Sequence, residues 1–422
     1  MKKTKVVVYL FISLFLSTGI AIQAFADSAE VLPKGIFRAN VTTNLYFNVD
    51  KRFNEEGDLE DVSHDFNATL NSNIFPALSA LDNIMGGPGT AIIGRSVVSF
   101  HYNYTDLIFG LDYGVTDRLT VGVLIPYWWQ STTVSKAMLD TRNATVGKNP
   151  FLGTPGDPFG GAPIVPISLG GVPLTTEDVQ NLLGPGMKIN GQLAIPGLGY
   201  KRLESWSDND ISDIEAGARY QYFRNDKWRL AFTGGVRFPS GKVDDPNNLI
   251  DQGFGSGAYA LLFRLNNDYT GIKNLVLNAT IRYDLTLPDE QRKRVTSIHN
   301  PIVPLTDEER VSRNIGDILQ LEGSGSYTFS EGWDFCLLYR YATRTKDDIS
   351  GKGKLDYAAL AEETDWTYHL FSAGISFSTI PLFKAKKFLL PLKASLEYEN
   401  VFAGTNNFLQ QQFFSIKLAA YF

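Results

Sequence analysis

The 422-residue chain contains a single cysteine, Cys336, and only four histidines. One cysteine excludes an internal disulfide framework, and no spacing of His, Cys and Asp is typical of a zinc site. No stretch after residue 26 has roughly eighteen consecutive apolar residues, which excludes a further membrane-spanning helix. The net charge of −6 gives no reason to expect nucleic-acid binding. We therefore expect no metal, no cofactor and no nucleic-acid partner.

The first 26 residues have the composition of a secretory signal peptide. Three lysines near the start precede an apolar stretch at 6–22, and Ala24 and Ala26 occupy the two positions that a signal peptidase recognises. We therefore expect export through the Sec pathway and cleavage before Asp27. A membrane-anchoring helix is the alternative, but the cleavage site favours a signal peptide that is removed.

Short segments of alternating apolar and polar residues dominate the remaining chain. At 107–129, such alternation lies on both sides of the turn 116–118, which predicts a β-hairpin. Each of the two segments is about as long as a tilted strand that crosses a hydrocarbon layer, which takes roughly 9–11 residues. Short turns at one end of the strands and long loops at the other are typical of an outer-membrane β-barrel.

The sequence therefore predicts an all-β fold: a transmembrane antiparallel up-and-down β-barrel of about 12 strands, with long extracellular loops and short periplasmic turns. The predicted strands are 37–49, two within 107–129, 214–222, 228–238, 257–265, 275–287, 319–327, 333–341, one within 366–379, 388–398 and the C-terminal strand. We expect the mature chain, 27–422, to form one barrel in the lipid bilayer of a Gram-negative outer membrane. A soluble β-sandwich is the alternative, but it needs no asymmetry between loops and turns.

Two long connections, 66–95 and 131–209, are expected to form a lid or a plug. In the first, Ile74, Leu78, Leu81 and Met85 recur at helical spacing, which predicts a short helix. An ordinary packed loop helix is the alternative there. The second contains eight prolines, twelve glycines and a capped helical segment at 176–184. Connections this long are usually functional or disordered, and the many apolar side chains of this one argue against full solvation.

One hairpin resembles a known family. The segment YGVTDRLTVGVLIPY at 113–127 resembles the hairpin of the family named for the MetA pathway of phenol degradation, a set of outer-membrane transporters. Residues 209–213 and 238–241 are similar to that family's strand start and strand end, with Asn209 and Ser240 in place of its usual glycine and threonine. The resemblance spans 107–422 and implies a barrel that passes aromatic or other hydrophobic molecules.

The last residues predict a barrel-assembly signal. Alternating apolar positions run up to the end of the chain: Phe414, Ile416, Leu418, Ala420 and Phe422. This is similar to the signature by which the barrel-assembly machinery recognises outer-membrane proteins. We therefore expect that machinery to be a partner.

Taking the polar face of each strand as inward, we predict a lumen with nearly balanced charge. The candidate lining residues are Arg38, Arg219, Arg229, Arg237, Arg264, Arg282, Asp284, Glu322, Arg340 and Glu397, together with Lys393, Lys417, Asp106, Asp112, Glu215, Asp334 and Glu399. A paired, water-filled wall fits this pattern, and so does a ladder of arginines that binds carboxylates or aromatic rings.

The sequence gives little support to an enzyme, because only His369 and Ser372 on one strand approach the Ser/His pair of a barrel phospholipase. It predicts an outer-membrane channel or transporter for the passive passage of small hydrophobic or aromatic solutes. A long-chain fatty-acid-type transporter is the alternative, although we would expect it to have a longer N-terminal hatch. A structural or enzymatic surface barrel is the third possibility.

Overall fold

The computed structural model describes residues 28–295, 305–353 and 355–422, so the predicted signal peptide lies outside the described residues. Twelve antiparallel strands form a closed barrel in which each strand pairs with its neighbours in sequence and the last pairs with the first. This confirms the predicted fold. The strands are β1 (Phe37–Tyr46), β2 (Gly94–Thr116), β3 (Leu119–Asp140), β4 (Ile214–Arg224), β5 (Trp228–Phe238), β6 (Ala260–Ile272), β7 (Leu275–Thr286), β8 (Ile318–Ser330), β9 (Trp333–Arg344), β10 (Trp366–Ser378), β11 (Leu392–Gly404) and β12 (Gln412–Tyr421).

The C-terminal strand closes the barrel against β1. Leu418 lies opposite Val41, and the ladder continues to the last residue, where the N–H of Phe37 donates to the carbonyl of Phe422 at 2.7 Å. The Phe37 and Phe422 rings stack at 5.7 Å between centroids. Closure leaves no unpaired strand edge, as a bilayer requires.

The outer surface carries an apolar belt. Outward side chains that are exposed include Val41, Leu45, Phe109, Leu111, Val121, Ile125, Phe232, Phe263, Leu265, Leu277, Ile281, Leu321, Leu337, Phe371, Ile375, Leu396, Ile416 and Leu418. At the end with the short connections and both termini, here called the turn end, aromatic pairs such as Trp228–Tyr269 and Trp333–Phe377 flank the belt. Such girdles mark the interfaces of transmembrane barrels.

The β2–β3 hairpin extends well beyond its predicted bounds of 107–129. The ladder continues to the pair Arg95 and Asp140, at the end with the long connections, here called the loop end. The strands continue because apolar side chains still alternate with polar ones there, but Phe100 and Tyr102 lie on the inward face of the strand, the face of Asp106, and pack in the interior. The long connection predicted at 131–209 therefore begins only after Asp140, and Trp206–Ile211 pairs with β3 again.

Two other predicted boundaries were wrong. Strand β6 spans Ala260–Ile272 rather than 257–265, and β11 begins at Leu392 rather than at 388. Pro391 has no N–H to donate to a ladder, so pairing starts after it. The connection 379–391 is therefore longer than the short turn that we expected at this end.

The long connections contain their own short elements. The helices are α1 (Ser79–Met85), α2 (Thr176–Leu183), α3 (Tyr357–Ala361) and α4 (Ile380–Lys384), and 3-10 turns lie at His64–Phe66, Pro76–Leu78, Ile167–Leu169 and Leu305–Asp307. The first two confirm the predicted helices: α1 ends at Gly86, whose φ of 106° is left-handed, and Thr175 caps α2. Among the residues described, no helix is long and apolar enough to span a membrane.

The loop-end connections also contain short strands, most of which pair within one connection or with a barrel strand. They are Lys51–Phe53, Leu59–Asp61, Thr69–Leu70, Val146–Lys148, Ile164–Pro166, Gly186–Ile189, Gln192–Pro196, Trp206–Ile211, Asp289–Arg294, Glu308–Asn314 and Asp348–Ser350. The segments 66–95 and 131–209 share one apolar core, in which Ile74 and Leu78 pack with Val146, Leu182 and Met187. These connections are thus packed structures rather than solvated loops.

Candidate functional site

A cavity of about 860 Å³ occupies the turn-end half of the barrel lumen. Its lining comes from the segment 28–36, from β1 to β6, from β11 and β12, and from the connection 379–391. Apolar side chains such as Ile36, Ile108 and Leu262 face it together with charged ones. The volume lies within the range of roughly 300–1,000 Å³ that is usual for small-molecule sites.

Three inward-facing glycines open one wall of this cavity. Gly122, Gly217 and Gly235 lie opposite one another on β3, β4 and β5. A Cβ atom at Gly122 would come within 2.2 Å of Asp112 Oδ1, and one at Gly217 within 2.9 Å of the Gly234 carbonyl oxygen. Because no side chain projects from these positions, the cavity reaches the strand backbones and becomes wider.

The N-terminal segment 28–36 crosses the turn end of the lumen. It begins at β6, where Ser28 Oγ donates to Asp268 Oδ2 at 2.7 Å, and it reaches β1. Between them, Gln221 Nε2 donates to the Ala29 carbonyl and the Leu32 N–H donates to Thr120 Oγ1, each at 2.8 Å. Strands β1 and β6 are five positions apart in a ring of twelve, and the segment contacts the strands between them in turn.

Sequence reasoning missed this segment. From the sequence we assign no role to the residues between the signal peptide and the first strand, yet residues 28–36 line the cavity at its turn end, here called the floor. One sequence feature could have indicated this segment: the apolar residues Val31, Leu32 and Pro33, shortly after the predicted cleavage site. Apolar side chains there need a surface to cover, and the lumen is the nearest one.

Above the cavity, buried arginines and carboxylates from four adjacent strands form one network. Arg237 Nη2 lies 2.6 Å from Glu215 Oε1 and 2.9 Å from Asp284 Oδ2. Arg282 Nε contacts Asp284 at 2.7 Å, and Arg264 contacts Glu215 at 3.3 Å. All five side chains are nearly inaccessible to solvent. Burial of charges at this depth is tolerable only when they are paired and hydrogen-bonded.

Two further polar groups continue this wall. Arg340 Nε lies 2.8 Å from Glu322 Oε1, which also accepts from the Gln320 amide. Asp106 is fully buried and accepts a hydrogen bond from Asn44 Nδ2 at 2.9 Å. Hydrogen bonds and ion pairs therefore connect the polar faces of many of the strands inside the barrel.

The predicted lining residues divide between these features. Arg38, Arg219 and Arg264 line the cavity, whereas Arg237, Arg282, Asp284, Glu322, Arg340 and Glu397 lie buried outside its lining. Arg229 contacts Glu30 of the N-terminal segment at 3.4 Å and Asp268 at 3.3 Å. The expected pairing of opposite charges is present in the structure, but it is concentrated in the network rather than spread along the wall.

The loop end of the lumen is filled by aromatic and apolar side chains. Tyr104 and Trp128 pack with Ile250 and Phe254, which the connection 239–259 brings into the mouth of the barrel. Tyr104 Oη donates to Gln252 Oε1 at 2.5 Å, and both groups are buried. The mouth is therefore covered by a segment that neither of the two predicted lid regions includes.

Ion pairs tie the segment 239–259 to its neighbours. Lys293 Nζ lies 2.7 Å from Asp244 Oδ2, and Lys201 Nζ lies 2.7 Å from Asp245 Oδ2. Burial favours a higher pKa for the Asp244 carboxyl, but the attraction of Lys293 and its hydrogen bond prevail and hold that pKa below its usual value. The segment is thus held by charge as well as by apolar packing.

The Ser/His pair that would suggest an enzyme is not assembled. His369 Nδ1 is 2.7 Å from Tyr339 Oη on the outer face, whereas Ser372 is buried on the inner face of the same strand. Residues three apart on a strand point to opposite sides of the sheet, so these two side chains do not meet.

No protein-family model matches the chain, and no curated protein sequence matches it. Among solved structures, an outer membrane channel from Pseudomonas putida F1 is similar over 94% of this chain and 99% of that chain, with 10% identity and a TM-score of 0.52. This likeness shows the fold. A FadL homologue of Pseudomonas aeruginosa and the toluene transporter TbuX of Ralstonia pickettii each match at 12% identity over 92% of this chain and 90% of theirs, with TM-scores of 0.33 that support no conclusion. Membership of the MetA-pathway family stays a prediction.

Proposed function

We propose that the protein is a channel in the outer membrane of a Gram-negative cell, through which small hydrophobic or aromatic solutes pass without energy coupling. The observation that carries this proposal is the partly apolar cavity inside a closed barrel, covered at both ends by segments of the same chain. The turn end faces the periplasm, since both termini and the short connections lie there.

The two covers argue against a general porin. Twelve strands enclose less space than the sixteen or so of an open aqueous channel. Here the remaining space is divided by the arginine network, the aromatic mouth and the segment 28–36. Hydrated ions and sugars therefore meet barriers that a small apolar molecule crosses at lower cost, because removal of apolar surface from water is favourable whereas removal of polar groups from water is costly.

The fold-level likeness to an outer membrane channel is in agreement with this proposal. A long-chain fatty-acid-type transporter stays the second candidate. The segment 28–36 is a hatch of the kind expected for it, although a short one. The experiment below therefore also measures the uptake of a long-chain fatty acid.

Uptake by cells with an intact lipopolysaccharide layer, which apolar solutes cross slowly, tests the function. Cells that produce the protein should take up radiolabelled toluene faster than cells that produce none, and palmitate uptake should not rise. In planar bilayers, the purified protein should conduct ions poorly. Equal toluene uptake with and without the protein would refute the proposal, and a rise with palmitate alone would favour the second candidate.

A pair of double variants tests the role of the mouth. Ile250→Ala with Phe254→Ala removes two buried side chains from the mouth and should raise single-channel conductance severalfold. Leu169→Ala with Leu193→Ala removes similar side chains that are exposed on the loops and should leave conductance unchanged. Heat-modifiable gel migration establishes that both variants form closed barrels. Equal conductance in the two would show that the mouth is not a barrier.

A further inference from the structure

Basic side chains outnumber acidic ones in the lining of the lumen cavity. Among the described residues that line it, the basic ones are Arg38, Arg219, Arg264, Lys384, Lys393 and Lys417, and the acidic ones are Glu30, Asp112 and Glu215. The chain as a whole is acidic, with a net charge of −6, so this local excess is opposite to the average. A cavity of low dielectric strengthens the field of such an excess.

Each of the three carboxylates in the lining is engaged by an arginine. Asp112 lies 2.8 Å from Arg38, and Glu215 lies 2.6 Å from Arg237. Glu30 lies 3.4 Å from Arg229. Glu397, buried on the same wall outside the lining, interacts electrostatically with Lys393 and Lys417 and offsets part of their charge. Even when Glu397 is included, basic groups at the cavity outnumber acidic ones.

Half of the basic lining residues lie on one wall. Lys393, Lys417 and Arg38 lie on β11, β12 and β1, which are adjacent strands. Lys417 has Thr42 opposite it on one side and Ser395 on the other, and both hydroxyl-bearing side chains also line the cavity. Ammonium groups with hydroxyl donors between them suit a carboxylate, which accepts several charge-assisted hydrogen bonds.

The wall nearly opposite is of a different kind. The glycine row on β3, β4 and β5 leaves backbone exposed there, and Leu124 and Leu262 add apolar surface beside the charged side chains of Glu215, Arg219 and Arg264. In the ring of twelve strands, β11 and β12 are four or five positions from β4. A ligand with one anionic group and an apolar body could therefore place its charge at the lysines and its body in the glycine recess.

We propose that the cavity is a binding site for small hydrophobic monocarboxylates, such as aromatic carboxylates, with Lys393 and Lys417 as the groups that recognise the carboxylate. The proposal rests on the proposed function, because it names the class of hydrophobic solute that the channel binds. It also explains why a channel for apolar molecules places two lysines at the side of its lumen cavity.

Calorimetric titration of the purified full-length protein with benzoate, toluene and benzylamine tests this inference. Benzoate should bind at least about tenfold more tightly than benzylamine, which has the same ring and the opposite charge. Lys393→Gln with Lys417→Gln should weaken benzoate binding by a similar factor and leave toluene binding unchanged. Lys393→Arg with Lys417→Arg keeps the charges and should retain most of the benzoate affinity.

Lys386→Gln with Lys387→Gln is the matched control, because these exposed lysines lie in the connection that precedes β11 and outside the cavity lining. Equal binding of benzoate and benzylamine would overturn the carboxylate site. Loss of toluene and benzoate binding together in the glutamine variant would also overturn it, since that pattern indicates a structural role. Failure of toluene uptake in cells, with benzoate binding intact, would instead count against the proposed function alone.

Discussion

Ser28 Oγ donates a hydrogen bond to Asp268 Oδ2 at 2.7 Å, and the N–H of Ala29 donates to the other carboxylate oxygen at 3.1 Å. This pairing fixes the start of the segment 28–36 at a strand nearly opposite β1, where the segment ends. Ala29 is fully buried there, so the contact is sealed from solvent. The floor of the lumen cavity therefore depends on one carboxylate that lies about 240 residues away in sequence.

Removal of this attachment should open the turn end. In Asp268→Ala with Gln221→Ala, Ser28 and Ala29 lose their side-chain partners, and the segment is expected to leave the lumen. Single-channel conductance in planar bilayers should rise severalfold, because the floor no longer obstructs the pore. Asp226→Ala removes an acid from an exposed turn at the same end and should change nothing. Unaltered conductance in the double variant would mean that the segment is not a barrier.

The arginine network should make Asp284 important for stability. Asp284→Ala removes the carboxylate that pairs with both Arg237 and Arg282, and loss of one partner of a buried ion pair costs about 3–5 kcal/mol. We expect the barrel to unfold at a clearly lower guanidinium concentration. Heat-modifiable migration on gels measures the fraction that stays folded. Glu331→Ala on an exposed turn is the control. If Asp284→Ala and the control unfold with the same guanidinium midpoint, then water or backbone groups compensate the charges of the arginines.

The twelve strands were predictable because alternation is local. A period of two can be recognised within a single segment, whatever that segment later pairs with. The same argument explains the error at β2 and β3, where the period of two continues but the apolar side chains, Val98, Phe100 and Tyr102, now lie on the inward face. Periodicity shows that one face of a strand is apolar, but it does not show whether lipid or the protein interior contacts that face.

Contacts between distant parts of the chain were not predictable in this way. The inward face of β4, β5 and β7 was evident from the sequence, but which arginine meets Glu215 depends on the register and stagger between strands. Near-balance of charge over the whole lumen was expected, whereas the structure separates a paired network from a basic cavity wall. The segment 28–36 was missed because its partners Thr120, Gln221 and Asp268 are far away in sequence.

The terminal residue should be needed for efficient barrel closure. Phe422 exchanges both backbone hydrogen bonds with Phe37 and stacks on its ring. Deletion of Phe422 is expected to leave a secreted protein that folds and inserts poorly, as measured by the heat-modifiable fraction in outer-membrane preparations. Phe383→Ala removes an exposed aromatic at the same end as a control. Normal yield of the deletion would refute the assembly-signal hypothesis for residues 414–422.

Acid should loosen the segment 239–259 that covers the mouth. The carboxyls of Asp244 and Asp245 are partly or largely buried, which favours a higher pKa, but Lys293 and Lys201, each at 2.7 Å, prevail and lower both pKa values. A carboxyl whose pKa is lower in the folded state stabilises that state above its unfolded pKa of about 3.9. That stabilisation is lost as the pH falls from there through the folded pKa.

Pepsin cleavage within 239–259, measured from pH 5 to pH 2 and normalised to an unstructured peptide, should therefore rise as the pH falls below about 4. In Asp244→Asn with Asp245→Asn, these two groups no longer titrate, so cleavage should be higher at pH 5 and change less with pH. Burial raises the pKa of Asp251 in the same segment, and the charges of Asp244 and Asp245 raise it further, so the double variant also shifts the Asp251 titration to lower pH. Asp251→Asn in both proteins removes this contribution from the comparison. Asp226→Asn, on an exposed turn at the opposite end of the barrel, should follow the wild-type profile. If wild type and double variant show the same pH profile, then the ion pairs do not hold the cover of the mouth, and apolar packing of Ile250 and Phe254 alone is responsible.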